Sequence, residues 1–63
     1  MMNSMRKDLV DRMIRLYGSK SHIVIEFAGL CERFPDNVHN DKMLTILVEA
    51  HEASPVNGSE WKE

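Results

Sequence analysis

Residues 21–34 read SHIVIEFAGLCERF, from Ser21 to Phe34, and whether they form a helix or a strand decides the fold. At 3.6 residues per turn, Ile23, Phe27, Leu30 and Phe34 share one face, with Val24 and Cys31 widening it. His22, Glu26, Gly29 and Arg33 gather on the opposite side. The β-branched run Ile23-Val24-Ile25 favours a strand, and a glycine at position 29 costs a helix about 1 kcal/mol relative to alanine. The helical period nevertheless persists for about four turns, whereas strict alternation lasts only a few residues. A helix is therefore expected, capped by Ser21 and stopped by Pro35 with Asp36 and Asn37 behind it.

The residues before this stretch give a second helix signal, from about residue 4 to Tyr17. Met5, Leu9, Met13 and Leu16 form its stripe, flanked by Val10, Ile14 and Tyr17. Lys7, Asp8, Asp11, Arg12 and Arg15 form the polar side, with Asp8–Arg12 and Asp11–Arg15 in the favourable i,i+4 order. Gly18 fits the position just past a helix end, where a positive φ is cheap only for glycine. The Gly18-Ser19-Lys20 connection is short, so the two helices are expected to pack as an antiparallel hairpin.

Beyond the central stretch, PDNVHND (residues 35–41) is rich in turn formers. Asn40 or Asp41 is expected to cap a third helix reaching about Ala53, with Val38 tucked against the hairpin. In that helix Met43, Ile46, Leu47 and Ala50 face one way, and Leu44 and Val48 broaden the face. A helix apolar over most of its circumference is buried on more than one side. A lone hairpin cannot cover so wide an arc, so Leu44 and Val48 are expected to remain exposed on a monomer. A homodimer, or a complex with a protein partner, would bury them.

The fold expected is thus all-α: a small three-helix bundle, a hairpin plus a third helix, in one domain over residues 1–54. Residues 55–63, rich in Gly, Ser and charge, read as a flexible C-terminal tail. Trp61 stands out there and is a candidate anchor for a partner, alongside Met43, Leu44, Leu47 and Val48.

Composition narrows the function. The chain has 63 residues, 43% of them hydrophobic, and a net charge of −2. A domain this short has a thin stability margin, and association is a common supplement where disulfides and metals are absent. Residues 1–22 carry five basic groups against two acidic ones, and the remainder carries three against eight. A basic first helix and an acidic remainder can attract each other. Cys31 is the single cysteine and falls on the apolar face, where it reads as a small buried hydrophobe. With no export signal, no membrane-length apolar run and a lone thiol, the cytoplasm is the expected setting.

His22, His39 and His51 are the candidate ligands or bases, and no metal or catalytic spacing surrounds them, so solvent-exposed histidines are expected. Gly18, Gly29 and Gly58 are isolated and make no phosphate loop. No catalytic residue, metal or cofactor is expected. A DNA-binding reading places Lys42, Thr45, Glu49 and Glu52 outward on the third helix, and two glutamates there have the wrong sign for phosphates.

From Met13 to Glu32 the chain loosely resembles the Spo0E-like aspartyl-phosphate phosphatases, small two-helix proteins of spore-forming bacteria. Their Ser-Gln-x-Leu-Asp core would fall on Ala28, Gly29, Leu30, Cys31 and Glu32. With Ala28 and Gly29 at the Ser and Gln positions and Glu32 at the Asp position, the resemblance implies a hairpin and no catalytic residue. The function expected is a non-enzymatic regulator or adaptor that binds protein through an apolar helix face.

Overall fold

The computed structural model describes residues 2–56, which form three helices. They are α1 (Ser4–Tyr17), α2 (His22–Arg33) and α3 (Val38–Ala53). Each begins on a side-chain cap that occupies an otherwise unpaired backbone N–H. Asn3 Oδ1 accepts from Arg6 N at 2.8 Å, Ser21 Oγ from Ile23 N at 3.2 Å, and Asn37 Oδ1 from Asn40 N at 2.8 Å. Gly18 ends α1 at φ +90°, its N–H donating to Ile14 O at 2.7 Å.

Successive helices reverse direction. Arg6, near the start of α1, reaches the end of α2 and the start of α3, while Tyr17, at the end of α1, meets His51 at the end of α3. α1 therefore lies antiparallel to α2 and roughly parallel to α3. Both α2 and α3 pack along α1, and their backbones approach each other only sparsely. Leu9 and Met13 from α1, Val24, Phe27 and Cys31 from α2, and Leu44 and Val48 from α3 make the buried core.

The third helix differs from expectation in two ways. It starts on Asn37, three or four residues earlier than the expected cap, so Val38 is its first residue and stands 83% exposed instead of tucked against the hairpin. Its rotation differs too. Leu44 and Val48 are fully buried, whereas Met43 (52%), Ile46 (56%) and Leu47 (38%) face outward. The reason lies in the polar residues on the same stripe. Asp41, Leu44, Val48 and His51 recur at helical spacing. Asp41 is held by Arg6 and His51 by Tyr17, which turns Leu44 and Val48 onto α1.

The apolar stripe of α2 is likewise divided. Val24, Phe27 and Cys31 enter the core, Ile23 and Leu30 pack at its margin, and Phe34 caps the helix and lies partly in solvent. Trp61 and the rest of the expected tail from residue 57 lie outside the described residues.

Candidate functional site

Because α2 and α3 rest on α1 and scarcely on each other, a furrow runs between them. Its wider end holds roughly 430 Å³ of space over a floor of Met13 and Phe27, walled by Ile23, Leu30 and Leu47. His22, Glu26 and His51 supply the polar groups at that end. The furrow continues past Leu30 and Leu47 into a second hollow of about 400 Å³, lined by Phe34, Met43, Leu44, Ile46 and Ala50. From Ile23 to Phe34 the α2 wall is about 16 Å long at 1.5 Å per residue, the length of about three helical turns. Among the described residues no polar atom lines the second hollow, and the first is chiefly apolar. Exposed apolar surface gathered in one concave strip is characteristic of a protein-binding site.

Met43 and Leu47, two of the residues expected to bind protein, line this furrow. Val48 is wholly core, Leu44 is buried beneath the second hollow, and Ile46, Phe34 and Leu30 take their places at the surface. Two conditions make the furrow: both helices use half of a wide stripe to pack on α1, and the other half has no counterpart among the described residues. The width of the third helix's apolar arc signals this in the sequence; which half faces inward depends on Asp41 and His51.

Its two ends are fixed by polar contacts. At the Phe34 end lies Arg6, only 1% exposed although it is charged. Its Nη1 donates to Cys31 O and to Phe34 O, both at 2.7 Å, and its Nη2 to Pro35 O at 2.9 Å. Its Nε donates to Asp41 Oδ1 at 2.9 Å, and Asp36 Oδ1 lies 3.6 Å from Nη2. A helix ends with carbonyls that lack backbone partners and carry partial negative charge, and the planar guanidinium meets several of them at once. The sequence carried a signal for this. Met2, Arg6, Leu9 and Met13 follow the spacing of the buried stripe, so Arg6 interrupts an apolar face.

At the other end, Val56 N–H donates to the Tyr17 hydroxyl at 2.9 Å, and that hydroxyl sits 2.8 Å from His51 Nδ1. The hydroxyl thus links the Val56 backbone to the His51 ring. The Tyr17 and His51 rings pack edge to face at 5.5 Å. His51 is therefore partly buried and held, unlike the exposed histidine expected; His22 and His39 are exposed. On the outer flank, Arg12 forms a two-point pair with Glu52, at 2.9 and 2.7 Å, in place of the expected Asp8 partner within its own helix. That bond holds the Glu52 carboxyl below its ordinary pKa and raises Arg12. The attraction expected between the basic first helix and the acidic remainder is thus realised within the chain.

Cys31 is 2% exposed, and burial raises its thiol pKa, against the opposing pull of Arg6. A nucleophilic cysteine requires the reverse, a lowered pKa with access to solvent. Among the described residues no group of three or more His, Cys, Asp or Glu side chains is placed to hold a metal. Among them, too, no helix is long and apolar enough to cross a membrane.

No protein-family model, curated protein or solved structure matches the chain.

Proposed function

We propose that the chain is a non-enzymatic interaction module, a small regulator or adaptor whose α2–α3 furrow takes an apolar helical surface of another protein chain. The observation that supports this is the concentration of exposed large apolar side chains along one strip. Phe34, Met43, Ile46 and Leu47 are each 36–56% exposed, all on the furrow, in a domain with few apolar residues to spare for its core. Burying such side chains contributes roughly 1.5–3 kcal/mol each when complete. The furrow's width and length suit an amphipathic helix laid in a groove. Glu49 on the outward side of α3, and Glu52 tied up by Arg12, weigh against a surface made for phosphates. The cytoplasm is the setting we propose, on the strength of a lone, reduced and buried thiol.

The test compares the wild-type chain with Ile46→Lys, which places a charge in the furrow without touching the core. Both are immobilised and exposed to the chain itself and to extract of its own cells, with exposed Glu32→Lys as a control. Binding by the wild type and the control that is lost in Ile46→Lys is the result expected. Failure of the wild type to bind any protein, itself included, would overturn the reading.

A further inference from the structure

The exposed strip of α3 carries a charge order that matches its own reverse. Met43, Ile46, Leu47 and Ala50 form its ridge, and Lys42 and Glu49 stand on one flank of that ridge, seven residues apart. Both are exposed, and neither enters a salt bridge among the described residues. In a heptad frame Met43 and Ala50 take one seam position, Ile46 the other, and Lys42 and Glu49 the same flanking position. When two such helices run antiparallel, residues at that flanking position face their equivalents across the seam. Parallel helices instead set this flank against the opposite one. Turning a second copy end over end therefore sets lysine against glutamate twice, once on each side of the two-fold axis.

We propose that the chain pairs with a second copy of itself through α3, the two helices antiparallel about Thr45–Ile46, with Lys42 of each copy facing Glu49 of the other. This rests on the furrow being a protein-binding surface and names its occupant. A two-fold contact needs a patch complementary to itself, and the charge order meets that requirement. The outer halves of both α2 stripes, Leu30 and Phe34, then close over the paired α3 helices. The result is two layers of helices enclosing the apolar strip that each monomer leaves open.

Sedimentation equilibrium of the full chain, with helicity checked by circular dichroism, tests the pairing through two charge reversals. Lys42→Glu carries glutamate at both flanking positions, and Glu49→Lys carries lysine at both. Each alone meets like charges twice in the dimer and is expected to raise its Kd about tenfold. Mixed in equal amounts, the two variants are expected to form a heterodimer at least as tight as the wild-type pair, more so in low salt. Wild-type chain that stays at 7.3 kDa at hundreds of micromolar overturns the proposal. So does a wild-type dimer whose two reversed variants each pair normally and show no preference for one another. In that second case the furrow remains a protein-binding surface, and only the antiparallel α3 pairing is lost.

Discussion

Arg6 Nε donates to Asp41 Oδ1 at 2.9 Å, joining the first turn of α1 to the first turn of α3 across 35 residues of sequence. The same guanidinium closes the end of α2 through three carbonyls, so one side chain meets all three helices. Among the described residues, no buried side-chain nitrogen or oxygen lacks a partner.

Removing that side chain takes a donor from Asp41 and from the carbonyls of Cys31, Phe34 and Pro35, the last of which keeps the Asn40 amide. Arg6→Ala is expected to cost about 3–5 kcal/mol, from buried carbonyls left short of a donor at about 1–3 kcal/mol each together with the lost packing of a buried side chain. Stabilities of ordinary domains are about 5–15 kcal/mol, and one this small sits at the low end, so the variant is expected to be largely unfolded. Arg6→Lys keeps the charge and loses the fork, and is expected to fall between. Urea titrations of the three chains check the order; an Arg6→Ala midpoint equal to that of the wild type refutes it.

The rotation of α3 predicts opposite outcomes for neighbouring residues. Leu44→Lys forces a charge into the core and is expected to abolish folding. Ile46→Lys, two positions on, is expected to change stability by no more than about 0.5 kcal/mol, as surface substitutions do. Thermal melts at low protein concentration, where association does not contribute, decide between this rotation and the reverse one.

The sequence was most legible where one residue type has one use. Ser21 and Gly18 mark helix ends by their local chemistry, and the structure places caps on both; of Asn3 and Ser4, either of which can open a helix, it places the first cap on Asn3. The orientation of α3 was harder to read because its apolar residues surround most of the helix, so periodicity alone offers no preferred face. What selects the face is a pair of polar contacts, Arg6–Asp41 and Tyr17–His51, each spanning more than thirty residues. Local patterns hold no record of such pairings. The furrow was legible as surplus apolar surface, but its floor of Met13 and Phe27 emerged only once α2 and α3 were placed on α1.

Tyr17 predicts a local effect at the chain's far end. Tyr17→Phe retains the ring packing against His51 and deletes the hydroxyl that serves both His51 Nδ1 and Val56 N–H. A cost of about 1–3 kcal/mol is expected. Amide exchange at Val56 is expected to accelerate by more than that at Leu9 or Met13. Uniform acceleration across the chain would show that the hydroxyl does not hold this end locally.

Glu52 predicts a pH dependence of definite sign. Its carboxyl pKa is depressed in the folded chain by Arg12, so the pair stabilises the fold above the ordinary carboxylate pKa. That contribution is lost as pH falls through the folded value. The difference in melting temperature between the wild type and Glu52→Gln is therefore expected at pH 7 and is expected to shrink as the solution is acidified below the ordinary carboxylate range. It should also shrink in high salt, because both groups are exposed. A difference that grows on acidification contradicts the pairing.

The helices α2 and α3 are attached to α1 like two leaves to one spine, with their backbones close to each other at few points. The softest internal coordinate is therefore the gap between the leaves, which widens or narrows by small sliding of side chains already packed on the spine. At the Phe34 end Arg6 ties the two leaves together, so such movement is expected toward the His22–His51 end. An occupant of the proposed site would narrow any such spread of spacings, and part of its binding free energy would go into ordering the gap. A substitution that stiffens the two leaves in their open spacing would then tighten binding without adding a single contact to the occupant.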